Sequence, residues 1–348
     1  MTEHIYQNKG KFTLENGQAL HDIQITYHTA GSLNRERNNV VWICHALTAN
    51  SNVEEWWPNM VGVGLLFDTS KYFIICANVL GSCYGTTGPL SINPQTGNPY
   101  YHEFPLITIR DMVNVHELLK NQLAIKRIYK LVGGSIGGFQ ALEWSIINPS
   151  LIENLIFIAS GAFASPWNIA FNESQSLAIN ADPTFKNNHE SAGLNGLKAA
   201  RSIALLSYRN ASAYNITQRE TEPDKMDSYK AISYQRYQGD KLVKRFNAFS
   251  YNTISNAFNT HNVGRNRGSI KKTLATIKTK TLLIAISSDI LFYPEEIKLI
   301  HQQIENSKYA EIESFYGHDG FLIETKLITK LIRGFVEAKQ IESCKNKK

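Results

Sequence analysis

Residues 129–138 read Tyr129-Lys130-Leu131-Val132-Gly133-Gly134-Ser135-Ile136-Gly137-Gly138: an apolar run, a glycine pair, a serine and a second glycine pair. Residues 139–147, which follow, have helical character. The pattern is strand, sharp turn and helix with Ser135 at the apex, and Gly133-Gly134-Ser135-Ile136-Gly137 fits G-x-S-x-G, the nucleophile elbow. Such a turn strains the backbone of its serine, and large neighbours would clash there; glycine tolerates the close approach. The turn lifts the hydroxyl to the sheet edge. It also leaves the amide of Ile136 near the positive end of the following helix, placed to bind a developing oxyanion. A plain strand-to-helix turn uses glycines too, so this short pattern needs support from the rest of the chain.

Outward from the elbow, short continuous apolar runs recur. Upstream are Val40-Val41-Trp42-Ile43-Cys44 and Tyr72-Phe73-Ile74-Ile75-Cys76-Ala77; downstream are residues 155–159 and 281–286. Runs of this kind suit strands buried on both faces. Residues 107–123 have helical spacing, a helix is expected over 294–304 with Pro294 in its first turn, and 321–338 reads as a closing helix. Two short strands are expected at 12–14 and 23–27 around the turn Glu15-Asn16-Gly17, and a last strand at 312–316. Strands alternating with helices predict an α/β fold with a mostly parallel central sheet flanked by helices. Residues 163–272 break the alternation with polar helical stretches and are expected to form a helical lid; residues 1–162 and 273–348 then form the core domain.

The chain has 348 residues, 43% hydrophobic and 19% charged, an ordinary globular composition without an apolar run long enough to span a bilayer. Met1-Thr2-Glu3-His4 shows no basic-then-apolar leader pattern. Four cysteines (Cys44, Cys76, Cys83 and Cys344) make no Cys-x-x-Cys pair, and Cys44 and Cys76 end apolar runs as buried thiols would. A cytoplasmic, reducing setting is the expectation. The net charge of +6 includes the tail Lys345-Asn346-Lys347-Lys348, read as a frayed, solvated end. The remaining basic residues are dispersed and not interleaved with aromatics, which argues against nucleic acid as a partner but suits an anionic substrate such as a CoA ester.

An elbow serine needs a base and an orienting carboxylate. In the α/β-hydrolase order these follow as Asp or Glu and then His, each in a loop after a late core strand. Asp289 lies three residues beyond Ile286, and His318 lies in Tyr316-Gly317-His318-Asp319-Gly320-Phe321, beyond the expected last strand. Ser135, Asp289 and His318 thus occur in the expected order and places. The competing readings, Asp289 as a helix cap before Pro294 and His318 as a surface loop histidine, carry less weight than the ordered triad. His45 is a rival base, but its place after an early strand fits an oxyanion loop, with the amide of Leu47 as second donor. No metal-ligand spacing is present, and neither a dinucleotide fingerprint nor a P-loop occurs.

The elbow block through Phe139-Gln140-Ala141-Leu142-Glu143-Trp144 resembles that of homoserine O-acetyltransferases. So do His45-Ala46-Leu47-Thr48, Asn78-Val79-Leu80-Gly81-Ser82-Cys83-Tyr84-Gly85-Thr86-Thr87-Gly88-Pro89, Ile107-Thr108-Ile109-Arg110-Asp111, Tyr237-Gln238-Gly239-Asp240-Lys241, Ser288-Asp289-Ile290-Leu291-Phe292 and Gly317-His318-Asp319-Gly320-Phe321-Leu322. The resemblance spans roughly residues 10–336. It implies an α/β-hydrolase core with a helical lid, a homodimer formed through the lid, no metal and no bound cofactor. It also implies acetyl-CoA as co-substrate, with its acetyl group passing to the hydroxyl of L-homoserine in methionine synthesis. The resemblance further implies Arg201 for the acceptor's carboxylate and Asp319 for its ammonium, with Tyr208-Arg209 a rival for the first role. Two departures stand out. Ile136 replaces the family's more usual methionine, which leaves its amide unchanged, and Ala49 follows Thr48 where glycine is commoner. Succinyl donors, serine as acceptor, and plain ester or thioester hydrolysis remain alternatives; Thr48 and the absence of a histidine-rich loop favour acetyl.

Overall fold

The computed structural model describes residues 1–345, with side chains through residue 337; the tail 346–348 and the thiol of Cys344 lie outside the described residues. Eight strands form one sheet: β1 (Thr2–Thr13), β2 (Ala19–Ala30), β3 (Val40–Cys44), β4 (Phe73–Ala77), β5 (Ile128–Gly134), β6 (Ile152–Ile158), β7 (Lys280–Ile286) and β8 (Ser307–Ile312). Their order is β1-β2-β4-β3-β5-β6-β7-β8. The first two pairings are antiparallel, and all pairings from β4 to β8 are parallel.

The apolar runs of the central strands are buried on both faces because each face has its own helical layer. Leu131, Leu155 and Phe157 point to one side, where Met112 of the helix Ile109–Gln122 and Phe139 and Leu142 of the elbow helix Ile136–Ile147 pack. Val132, Ile156 and Ile158 point to the other side, against Ile328, Ile332 and Phe335 of the helix Thr325–Lys345. This period-2 division is what a strand imposes on successive residues.

Three expectations need correction. The last strand ends at Ile312 instead of running over 312–316. It lies at the sheet edge and is only partly buried, so Ser307-Lys308-Tyr309 carries no apolar run to read. The first two strands are each twelve residues long, far beyond 12–14 and 23–27. Most of β1 is exposed at the opposite edge, which leaves no hydrophobic alternation as a signal. The closing helix is also interrupted: a short turn of helix, Gly320–Ile323, precedes Thr325–Lys345.

Between β6 and β7 the chain leaves the sheet. The helices Pro166–Asn180, Leu194–Tyr208, Ala211–Thr217, Lys230–Val243, Ala248–Asn259 and Ile270–Leu274 follow one another there and cover the end of the sheet where Ser135 lies. Among the described residues no helix is long and apolar enough to cross a membrane.

Candidate active site

Ser135 sits between the last residue of β5 and the first of the elbow helix, with φ 55° and ψ −131°. That conformation is sparsely populated for a residue with a side chain and persists only where the surroundings enforce it. Here the Ser135 amide donates to the Ile158 carbonyl at 3.1 Å, and its carbonyl accepts from the Ser160 hydroxyl at 2.6 Å and the Gly138 amide at 2.8 Å. The flanking glycines are a packing requirement. A Cβ on Gly133 would lie 2.1 Å from the Gly137 carbonyl oxygen, and one on Gly137 would lie 2.1 Å from the Cys44 carbonyl oxygen.

His318 lies in a turn of 3-10 helix, Gly317–Asp319, six residues beyond the end of β8. Its Nδ1 is 2.7 Å from Oδ2 of Asp289, and both side chains are almost fully buried. The other Asp289 oxygen, Oδ1, accepts from the amides of Leu291 and Phe292 at 2.8 and 3.0 Å. Asp289 therefore caps its own loop and orients the imidazole at once, so the two sequence readings of it are compatible. The hydroxyl of Ser288 ties the two loops together, donating to the Ser314 carbonyl at 2.6 Å and accepting from the Gly317 amide at 3.0 Å. Rings of Tyr208, Phe292 and Phe321 surround the imidazole at centroid distances of 5.8, 5.4 and 5.2 Å.

Ser135, His318, Leu47, Arg201 and Asp319 line one small cavity of about 80 Å³, together with Tyr208. Asp289 stands behind the imidazole, outside the lining. The Ile136 side chain is buried in the core; its amide is the first of the elbow helix and so lacks an intrahelical partner. The loop carrying Leu47 is pinned from below. Gln140 Nε2 donates to the His45 carbonyl at 3.4 Å and to the Ile136 carbonyl at 3.2 Å, while its Oε1 lies 3.0 Å from His116 Nε2.

His45 does not reach the cavity. Its Nδ1 lies 2.8 Å from the Ala46 carbonyl, and its Nε2 accepts from the Val79 amide at 3.1 Å, so both ring nitrogens are engaged. Burial pushes its pKa down to about 4. It is a neutral strut between the loop at Leu47 and the loop at residues 78–89. That second loop is fastened to β2 by Thr86 and Thr87, whose hydroxyls accept from the Thr26 and Gln24 amides at 3.0 and 2.8 Å.

The helix Leu194–Tyr208 brings Arg201 and Tyr208 to the cavity from the same face, seven residues apart. The Arg201 guanidinium lies 5.7 Å from the Tyr208 ring centroid and makes no hydrogen bond or ion pair among the described residues. Arg209 is committed elsewhere: its Nε pairs with Oδ2 of Asp319 at 2.9 Å. Burial pushes the Asp319 carboxyl up, against the pull of Arg209, His318 and Arg201. Gln140 and Ser288 are the supporting residues that sequence reasoning did not assign, because they act through polar contacts that no motif spacing announces. Tyr208 was read only in the pair Tyr208-Arg209, as a rival for the acceptor's carboxylate, and its ring instead packs beside the imidazole.

Among the described residues, no cluster of three His, Cys, Asp or Glu side chains is placed to hold a metal, and Cys44, Cys76 and Cys83 are free thiols.

A largely parallel sheet of this order, with a serine at its elbow and an Asp–His pair on later loops, defines the α/β-hydrolase fold. A family model described as alpha/beta hydrolase fold matches residues 39–325. Within that class, the homoserine O-acetyltransferase of Cyclobacterium marinum is 45% identical over 335 residues, covering 96% of this chain and 95% of that protein. The crystal structure of homoserine O-acetyltransferase from Bacillus anthracis, 26% identical, superposes with a TM-score of 0.89 and covers 96% of this chain and 97% of its own. The crystal structure of an esterase, also 26% identical, gives a TM-score of 0.88 over 96% and 99% of the two chains. The chain belongs to the homoserine O-acetyltransferase family of α/β-hydrolase-fold proteins.

Proposed function

We propose that this protein moves an acetyl group from acetyl-CoA to the hydroxyl of L-homoserine, giving O-acetyl-L-homoserine and CoA, by way of acetyl-Ser135. In this reading His318 takes the Ser135 proton as the hydroxyl oxygen attacks the thioester carbonyl. The amides of Leu47 and Ile136 hold the oxyanion, and one such donor contributes about 3 kcal/mol in comparable sites. The intermediate collapses with loss of the CoA thiolate, which takes up the proton from His318. Homoserine then enters, His318 accepts its hydroxyl proton, and the alkoxide attacks acetyl-Ser135; the proton returns to Ser135 as it leaves. Asp289 holds the imidazole tautomer and supports its charge throughout.

The observation that carries the choice of an amino-acid acceptor is the charge lining of the cavity. Arg201 offers a guanidinium with no hydrogen-bond or ion-pair partner among the described residues, suited to donate two parallel hydrogen bonds to a carboxylate. Asp319, beside the base, is the carboxylate for an ammonium. An ester hydrolase needs neither. The family relationship supports the same reading, including a place in methionine synthesis. A homodimer through the helical insert at residues 163–272, treated as a lid domain, and a cytoplasmic setting belong to it.

The second reading is an esterase or thioesterase, favoured by the solved esterase of the same fold. Steady-state rates with acetyl-CoA and succinyl-CoA, each with homoserine, serine or no acceptor, decide between them. Fast CoA release only with homoserine and acetyl-CoA supports the proposal. CoA release at one rate regardless of acceptor contradicts it, and a preference for serine or succinyl-CoA reassigns the acceptor or donor.

A further inference from the structure

A second cavity, of about 510 Å³, lies at the other end of β5. Ser135 is five residues further along the chain than Lys130, about 16 Å at strand rise, so the two sites open at opposite ends of the sheet. The pairing of β5 with β3 slips here: Val40 lies opposite Ile128, but Val41 lies opposite Lys130. Such irregularities re-aim side chains, and Tyr129 and Lys130, adjacent in the strand, both line the cavity. The Tyr129 carbonyl is satisfied by the buried amide of Asn154 at 2.8 Å.

Lys130 is the unusual member of this site. It is only 4% exposed, and its Nζ sits 4.3 Å from the Tyr72 ring centroid and 4.9 Å from that of Tyr129. The two rings stack on each other at 5.3 Å. Cation–π contact covers two sides of the ammonium, but none of its N–H donors meets an acceptor among the described residues. The remaining side of the ammonium faces the cavity, so its missing acceptor has to come from what fills that cavity. Burial, with Arg333 and Lys71 nearby and against the pull of Glu337, pushes this ammonium down to about 8, which leaves it mostly charged at neutral pH. Around the cavity stand three cations (Lys71, Lys130 and Arg333) against two carboxylates (Asp68 and Glu337). Asp68 is already held by Ser70 at 2.6 Å and Lys71 at 3.4 Å.

We propose that this cavity binds a small oxyanion, a phosphate or carboxylate group, held by Lys130 from within and by Arg333 at the rim. The anion supplies the acceptor that the buried ammonium lacks, and the stacked tyrosines form one wall. The volume falls in the range of small-molecule sites. The acetyl-transfer mechanism uses none of these residues, so the site is separable from catalysis.

The test uses the full chain. Thermal unfolding and calorimetric titration with sodium phosphate and with sodium acetate, at ionic strength matched by sodium chloride, are run on the wild type, Lys130→Gln and Arg333→Gln. The wild type should show a saturable rise in Tm with at least one of the two anions and none with chloride. Saturation by phosphate alone assigns a phosphate site, and saturation by acetate alone a carboxylate site. Each substitution removes a charge-assisted contact and should weaken binding by about tenfold or more. Arg333 is exposed, so Arg333→Gln reports even if Lys130→Gln does not fold. No saturable effect beyond chloride, or binding unchanged in Arg333→Gln and in any folded Lys130 variant, overturns the proposal.

Discussion

Ser135 is held at a positive φ by four backbone hydrogen bonds between glycines that have no room for a side chain, and the strain is useful only if its hydroxyl reacts. Ser135→Ala should leave the fold intact and lower turnover by about 10⁴-fold or more, read in a CoA-release assay. Asp289→Asn frees the imidazole to adopt the wrong tautomer, and about 10³–10⁴-fold of kcat should go with it. Arg201 is expected to behave differently. In the Arg201→Ala variant, acetylation of Ser135 should proceed at close to the normal rate, while KM for homoserine rises by about tenfold or more. Equal damage to both half-reactions, measured by single-turnover quench, would place Arg201 in the chemistry of the acyl step instead. At this scale the site was legible in sequence where chemistry is tied to a motif: Ser135, Asp289 and His318 each follow a strand in a fixed order. The difference between Arg201 and Arg209 needed coordinates, because only the fold shows that Arg209 is paired with Asp319 while Arg201 lines the cavity without an ion pair.

Among elements, the elbow helix is the hub. Its N-terminus abuts β3 so tightly that Gly137 has no room for a methyl group. Gly137→Ala must move one of two backbones, and a loss of about 3 kcal/mol or more in urea unfolding is expected. Near its other end the buried Glu143 accepts from Arg110 at 2.8 Å and from Arg267 at 2.5 and 3.0 Å. Arg110 also reaches Glu15 at 2.8 Å, and Arg265 meets Glu15 at 2.7 Å. This network joins the hairpin turn, two core helices and the segment where the helical insert returns to the sheet. Glu143→Gln leaves Arg110 with Glu15 alone and the quarter-exposed Arg267 without a carboxylate, so it should cost about 1.5–3 kcal/mol. An unchanged urea midpoint would mean that water already satisfies the two arginines. Sequence revealed the central strands because double-sided burial writes a continuous apolar run. The edge strands β1 and β8 bury little and were read short or displaced. The charge network was invisible, since Glu15, Glu143 and Arg267 are far apart in the chain and share no motif.

Across the whole molecule, three histidines are buried with no acid in hydrogen-bond contact. Burial pushes His45 and His116 down to about 4 and His261 down to about 3. Their native values lie below the unfolded value of about 6.5, so the unfolded chain binds more protons across this window. Stability should therefore hold above pH 6.5 and fall as pH drops toward 4, by several kcal/mol in all, on the order of 1–3 for each group. Urea midpoints at pH 7, 6 and 5 check this, and a flat profile over that range would show that the three side chains become solvated. In the proposed reaction Ser135 carries an acetyl group between two substrates while water is kept out. Rapid-quench intact mass spectrometry with acetyl-CoA alone tests it most directly. One added acetyl group per chain is expected, located on Ser135, persisting without an acceptor and discharged when homoserine is added. Unmodified protein under conditions of full turnover, or an acetyl group lost to water as fast as to homoserine, would contradict it.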